Sequence, residues 1–149
     1  MAFRFRYSAA LFIAAISFWP ISASADWQFT KWGMSPSQVI KASKGMATLS
    51  ADGGIAPMPF ASGNFTFTVR FSFDTDSKLS VVYVVLKSGG NYALLNALKE
   101  KYGQPDEVDG ITTIWRTPRD EILFSAVDAD SSDASIYYRS RSNTNTQGL

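Results

Sequence analysis

Three aspartates lie close together in the segment VDADSSDAS, at Asp128, Asp130 and Asp133. Carboxylates at alternate positions are typical of calcium-binding loops, which also need a glycine at position six and a glutamate at position twelve. Counted from Asp128, these positions hold Asp133 and Arg139, so the pattern fails twice. The sequence therefore predicts a solvated acidic turn between two strands, and we expect no metal site.

Paired carboxylates can also hydrolyse glycosidic bonds, provided that the pKa of one of them is raised. The chain contains no histidine and no cysteine, which excludes a Ser-His-Asp triad, a Cys-His pair and an ordinary zinc or copper site. We expect no enzymatic activity and no cofactor. A metal-free hydrolase built on carboxylates is a hypothesis that we rank behind two non-enzymatic functions. Its candidate acids fall on predicted helix surfaces, in turns or at a strand edge, away from apolar segments: Glu100, Asp106, Glu107, Asp109, Asp120 and Glu121.

The N-terminal residues 1–25 have the three parts of a secretory signal peptide: a basic start with Arg4 and Arg6, an apolar run over 7–19, and small residues up to Ala25. The apolar run is shorter than the roughly 20 residues that a membrane-spanning helix needs. We therefore expect cleavage between Ala25 and the following aspartate, and a periplasmic or secreted product without a stable membrane anchor.

Cleavage before Asp26 removes Arg4 and Arg6, which turns the net charge from +1 into −1. A nearly neutral domain has no long-range field for nucleic acid, so we expect no nucleic-acid partner. The absence of cysteine leaves neither a disulfide nor a lipidation site. We expect one soluble domain over 26–139, followed by a polar, disordered tail over 140–149.

A short helix over 36–44 is the best-specified element. Ser35 is a good N-cap, Pro36 suits the first helical position, and Gln38 completes a capping box. Gly45 supplies a left-handed residue that ends the helix. A second helix is predicted over 92–102, with its own terminating glycine.

Strict alternation of apolar and polar residues predicts a half-buried strand over 65–73. The next run, 79–86, is apolar on both faces, which indicates a central strand. Four more extended runs are predicted over 46–51, 111–116, 121–127 and 134–139. The fold class is therefore α+β, an antiparallel sheet of about six strands with two short helices on one face. The order also suggests a duplicated helix-plus-three-strands unit.

The segment 52–64 contains three glycines and two prolines, which predict a loop, and it carries Ile55, Met58 and Phe60. Two interpretations stay open for these side chains. They cover the edge of the core, or they form an apolar recognition loop. On the second interpretation the candidate binding residues are Ile55, Met58, Phe60, Trp32, Trp115 and Tyr138.

The segment Trp32-Gly33-Met34-Ser35-Pro36-Ser37-Gln38-Val39 resembles the start of the SmpA/OmlA family of bacterial envelope lipoproteins. The later segment Leu98–Pro105 and Trp115 resemble a pattern common in exported bacterial proteins. The family's fold is similar to that of β-lactamase-inhibitor protein. The resemblance implies a non-enzymatic protein that binds another envelope or extracellular protein through one sheet face. The alternative function is a carrier that holds a small apolar ligand between helices and sheet.

Overall fold

The computed structural model describes residues 27–141. The predicted signal peptide, 1–25, lies outside the described residues, and so does all but the start of the predicted tail. Within 27–141 the chain forms two helices and seven strands. They are α1 (Pro36–Ala42), β1 (Met58–Ser62), β2 (Phe65–Phe73), β3 (Leu79–Ser88), α2 (Asn91–Tyr102), β4 (Glu107–Asp109), β5 (Thr112–Arg116), β6 (Asp120–Ser125) and β7 (Ser135–Ser140).

The seven described strands form one antiparallel sheet in the order β1-β2-β3-β7-β6-β5-β4. Strands β1 to β3 follow α1 as one meander, strands β4 to β7 follow α2 as a second, and the two meet where β3 pairs with β7. The predicted α+β class with an antiparallel sheet is confirmed, although the expected count of about six strands is one too low. The two meanders differ in strand number, and the duplicated unit stays a prediction.

The first strand is where the sequence prediction is wrong. Residues 46–51 form no strand and contribute only an isolated bridge from Leu49 to Ile55. Strand β1 instead lies within 52–64, the segment whose glycines and prolines predict a loop. All five of its residues pair with β2, and this long-range ladder outweighs the local signals. Pro59 is tolerated because β1 is an edge strand, where a missing N–H costs little.

Strand β4 is absent from the prediction because it is only three residues long and exposed along its whole length. It pairs with β5 across a tight turn at Gly110, whose φ of +55° favours glycine. The dipeptide Asp109-Gly110 before a run of strand-forming residues is a hairpin signal, so the sequence does contain the information for this strand.

The core lies between the helices and one face of the sheet. The alternation predicted for 65–73 is confirmed, since Phe67, Val69 and Phe71 are all buried. Val39 from α1 and Leu94 from α2 belong to the same buried cluster, which places both helices on this side. In register with Val69, the buried face continues through Val84, Ile136, Phe124 and Thr113.

Helix α1 begins as predicted and ends two residues early. The Ser35 N–H donates to Gln38 Oε1 at 2.8 Å, and the Gln38 N–H donates to Ser35 Oγ at 3.4 Å, which confirms the capping box. At the other end, the buried Ser43 hydroxyl donates to the Ile40 carbonyl at 2.7 Å and accepts from the Ala47 N–H at 2.9 Å. The backbone then turns left-handed at Lys44 and Gly45, where φ is +53° and +91°, and the helix does not continue.

The remaining element ends lie close to the predicted ones. Helix α2 starts at Asn91, one residue early, and terminates at Gly103, where φ is +82°. Strand β3 is central, as predicted, with β2 and β7 on its two sides. Strand β7 runs to Ser140, which is buried, so the ordered domain reaches one residue beyond the predicted end at residue 139.

Candidate functional site

A cavity of about 270 Å³ lies between α2 and the sheet, and we call it the α2 cavity. Helix α2 lines it with positions 94, 97, 98 and 101, which share one helical face. Strands β1, β2, β3 and β7 supply the opposite wall. The principal apolar side chains of the lining are Trp27, Phe60, Phe65, Phe67, Leu94 and Leu98.

The mouth of the α2 cavity is polar. Gln28, Ser62, Gly63 and Lys101 line the cavity and are all exposed, whereas the deeper lining is half-buried or buried. Lys101 is the only charged residue in the lining, and its Nζ lies 5.0 Å from the centroid of the Tyr102 ring. The cavity therefore combines an apolar interior with hydrogen-bond donors and one positive charge at its opening.

Tyr138 lines the α2 cavity and is buried, at 7% exposure. Burial raises the pKa of Tyr138 well above its ordinary value, and the nearby Tyr102, which shares a hydrogen bond with it, raises the pKa further. The phenol is therefore neutral at physiological pH. Within residues 27–141 no buried side-chain nitrogen or oxygen lacks a hydrogen-bond partner, so an apolar guest would leave no wall group unsatisfied.

The candidate binding residues do not form one surface. Phe60 and Tyr138 line the α2 cavity, whereas Ile55, Met58 and Trp115 are buried in the core. The side chains of Ile55 and Met58 are buried in the core and Phe60 packs against it, as expected if they cover the core edge. A binding role for these residues stays a prediction.

Trp115 connects two elements within the core. Its side chain is 2% exposed, and its Nε1 donates to the Gly103 carbonyl at 3.0 Å. Its ring lies 6.4 Å from that of Tyr102. Strand β5 thereby fixes the end of α2, next to the mouth of the α2 cavity.

Trp32 is half-buried and lies over a carboxylate rather than at a free surface. Its Nε1 donates to Asp120, whose side chain also accepts from the Thr117 hydroxyl at 3.0 Å. Asp120 is only 1% exposed. The expectation that the candidate acids avoid desolvating surroundings is therefore wrong for this residue, because the turn before β6 buries it at hydrogen-bonding distance from the indole N–H.

Glu121 is buried too, but on the other face of the sheet, since consecutive strand residues alternate. It accepts hydrogen bonds from Arg116 Nε at 3.0 Å and from Arg139 Nε at 2.6 Å. Burial raises the pKa of Glu121, but the hydrogen bonds from Arg139 and Arg116 outweigh this effect and hold it below its ordinary value of 4.5. Glu121 and Asp120 therefore do not converge on one site.

The acidic segment 128–133 is held in place by a residue that the sequence analysis missed. Asn91 is 1% exposed, and its Nδ2 donates to Asp133 Oδ1 at 2.7 Å and to Ser131 Oγ at 2.8 Å, while its Oδ1 accepts from the Ala134 N–H at 2.9 Å. Hydrogen bonds from Ser131 and Asn91 lower the pKa of Asp133. Within the described part of the chain, no three carboxylates come together as a metal-holding group.

The face of the sheet opposite the helices is the open face. Its centre is an apolar and aromatic patch, bordered by the ion pairs of Glu121. Tyr83 and Tyr137 pair in register and stack with their ring centroids 4.4 Å apart, and Tyr137 is 41% exposed. The open-face patch consists of Val81, Tyr83, Val85, Ile114, Leu123 and Tyr137.

Comparisons of the chain with protein-family models, with curated proteins and with solved structures each find no match. The resemblance to the SmpA/OmlA family stays a prediction. None of the helices in 27–141 has the length and apolar character needed to cross a membrane. The two features of 27–141 that bear on function are the α2 cavity and the open face.

Proposed function

We propose that the protein is an exported, non-catalytic carrier that holds a small apolar ligand in the α2 cavity. The observation that supports this proposal is an apolar cavity between helix and sheet that opens at a polar mouth. Ligand sites are typically concave and lined by hydrophobic and aromatic side chains with a few placed polar groups. The α2 cavity matches that description in its apolar lining and in the few polar groups at its mouth.

The size of the α2 cavity limits the ligand. Its volume of about 270 Å³ is just below the roughly 300–1,000 Å³ of pockets that hold drug-sized molecules. A medium-length aliphatic chain or a compact aromatic molecule of up to three rings is a suitable guest. Its transfer from water is favourable by about 25 cal/mol for each Å² of apolar surface buried, and the buried wall groups already have their hydrogen bonds.

The experiment is a titration of the purified, exported protein with N-phenyl-1-naphthylamine, a neutral dye that fluoresces in apolar surroundings. We expect saturable binding to wild type and strongly reduced binding to Ala97→Phe, because position 97 lines the cavity and a phenyl ring there fills it. Ala93→Phe is the matched control, since Ala93 is an exposed residue of the same helix and does not line the cavity.

Absence of saturable dye binding to wild type would overturn the carrier proposal. Equal loss of binding in Ala97→Phe and Ala93→Phe would also overturn the assignment to the α2 cavity. Native mass spectrometry of the same material provides a second measurement, because a carrier purified from its own compartment should retain a small, dissociable mass.

A second candidate function is favoured by the open-face patch. A stacked tyrosine pair with one ring 41% exposed is the kind of amphipathic anchor that is enriched in protein interfaces. We propose, as the alternative, that another envelope or extracellular protein docks on this face. This proposal also retains the partner that the family resemblance implies.

The docking alternative is tested by affinity capture from envelope extract with three baits. We expect a partner to bind wild type and Tyr92→Ala, and to be lost with the double variant Tyr83→Ala/Tyr137→Ala. Tyr92 is the matched control because it is 63% exposed on α2, away from the open face. A partner captured equally by all three baits would exclude the open-face patch as its site.

Export itself belongs to the proposal. We expect the mature protein to begin at Asp26, after the predicted cleavage site. Intact mass of the protein recovered from the periplasm or the medium measures this directly, and retention of residues 1–25 would contradict it.

A further inference from the structure

We infer that the ligand of the α2 cavity is a small amphiphile with an anionic head group that lies at Lys101. This inference rests on the proposed carrier function and adds the ligand's charge and orientation. It follows from the distribution of charge around the cavity. Lys101 is the only charged residue of the lining, and it lies at the mouth while the interior is apolar.

Lys101 has no carboxylate partner within residues 27–141. The three ion pairs of this region join Arg116 and Arg139 to Glu107 and Glu121 on the open face. The Lys101 ammonium instead lies over the Tyr102 ring at 5.0 Å. An incoming anion therefore meets a positive charge that no neighbouring side chain neutralises.

The other groups at the mouth fit the same head group. Gln28 and Ser62 are exposed at the rim and carry an amide and a hydroxyl that can donate hydrogen bonds to an oxyanion. Deeper in the cavity, the Tyr138 hydroxyl already shares its hydrogen bond with Tyr102. The polar end of the ligand is therefore satisfied at the mouth and its apolar end in the interior.

One effect opposes an anion at this position. Lys101 lies in the last turn of α2, where the helix dipole is equivalent to about −0.5 charge. Lys101 carries a full positive charge at the mouth and outweighs this half charge, while Lys99 and Glu100 in the same turn carry opposite charges that offset each other. The Gly103 carbonyl, which follows the turn, is occupied by Trp115 Nε1 at 3.0 Å. The net field at the mouth favours an anion.

The size of the effect follows from the exposure of Lys101. Ion pairs between exposed groups contribute about 0.2–1 kcal/mol, which corresponds to about a 1.5- to fivefold change in affinity at 1.4 kcal/mol per factor of ten. The charge therefore adjusts selectivity, while the apolar body of the ligand supplies most of the affinity. Because exposed charges are screened, the contribution should decrease as ionic strength rises.

The experiment displaces N-phenyl-1-naphthylamine with octanoate, heptan-1-ol and heptylammonium, three probes with the same seven-carbon chain and different head charges. We expect wild type to bind octanoate most tightly and heptylammonium least. Lys101→Gln should weaken octanoate about 1.5- to fivefold and leave heptan-1-ol unchanged. Lys99→Gln is the matched control: it removes a positive charge from the same turn without touching the lining, and should leave octanoate binding close to that of wild type.

The outcomes separate this inference from the carrier proposal. Equal affinity for octanoate and heptan-1-ol, or equal weakening of both by Lys101→Gln, overturns the anionic head group while carrier function stands. Equal weakening of octanoate by Lys99→Gln and Lys101→Gln overturns the specific role of Lys101. If neither the dye nor any probe binds wild type, both proposals fail. Salt-dependent octanoate binding in wild type that becomes independent of salt in Lys101→Gln supports the inference.

Discussion

The two faces of the sheet are made by the same strands and use different interactions. On the helix-covered face, aromatic and aliphatic side chains pack between layers, as where Trp27 meets Phe71 edge to face with centroids 5.7 Å apart. On the open face, Glu121 is held by two arginines and the Tyr83–Tyr137 stack stands half in water. Apolar burial does not depend on salt or pH, whereas a surface ion pair depends on both. Substitutions on the covered face should therefore cause the larger losses of stability. Substitutions on the open face should cause losses that depend on salt and pH.

The largest expected effect is at the covered face. Phe71→Ala should lower the free energy of unfolding by about 3–5 kcal/mol, since it removes a buried ring and leaves a cavity beside Trp27 and Phe29. Its neighbour on the open face, Ser72, provides the control: Ser72→Ala should change stability by no more than about 0.5 kcal/mol. Urea denaturation measures both. A loss below about 1 kcal/mol for Phe71→Ala would contradict the contrast between the faces.

The next effect tests whether the covered side is stabilised by apolar burial alone. Asn91→Ala removes the side chain that holds segment 128–133 and leaves the Ala134 N–H without its partner. We expect a loss of about 2–4 kcal/mol, because several hydrogen bonds are lost and a buried donor is orphaned. Urea denaturation measures the loss. Asn96→Ala, in the same helix and without a side-chain hydrogen bond to 27–141, should be close to neutral. Equal behaviour of the two variants would mean that the contacts of Asn91 add nothing.

The covered face was the more predictable of the two from sequence. The alternation over 65–73 and the capping box at Ser35 are local patterns, and the structure confirms both. Strand β1 could not be predicted in this way, because its pairing with β2 is long-range and its own composition favours a loop. The prediction of a strand at 46–51 is wrong because local composition favours a strand there but no other strand of 27–141 pairs with it. Its only pairing is the single bridge from Leu49 to Ile55.

The candidate site was predicted only in part. A carrier cavity between helices and sheet was an open alternative, and Phe60 and Tyr138 were among the candidate residues. The role proposed for Lys101 could not be inferred from the sequence, because a lysine in the last helical turn is also what the helix dipole favours. The role of Asn91 could not be predicted either, because this residue follows two glycines that break the chain. Its hydrogen-bond partners lie some 40 residues away in sequence and leave no local pattern. The types of residue in the sequence limit which reactions and ligands are possible. The position of the site depends on which residues the fold brings together.

A third prediction concerns pH on the open face. The pKa of Glu121 is depressed in the folded state, so its ionised form contributes stability above the ordinary value of 4.5 and loses it as pH falls through the folded value. Glu121→Gln should cost about 1–2 kcal/mol near neutral pH, a moderate value because both arginines are partly exposed. The difference from wild type should shrink below about pH 4.5.

Urea denaturation of wild type and Glu121→Gln between pH 3 and pH 8 measures this difference. Glu100→Gln, on the exposed side of α2, is the control and should leave the pH profile unchanged. A difference between wild type and Glu121→Gln that stays constant from neutral to acid would show that Glu121 acts through packing and not through its charge. The open face would then resemble the covered one.

The smallest expected effect is that of the tyrosine pair. A double-mutant cycle with Tyr83→Ala and Tyr137→Ala should give a coupling energy of about 0.5–1.5 kcal/mol, the range for stacked aromatic pairs. Burial raises the pKa of Tyr137, and its hydrogen bond with Tyr83 raises it further, so the Tyr137 ring remains neutral and the coupling should be unchanged between pH 6 and pH 8. A coupling near zero would mean that stacking of the two rings contributes no stability in the free protein. Binding of a partner to the open face would then include the entropy loss of ordering both rings, whereas a coupled pair is already ordered before contact.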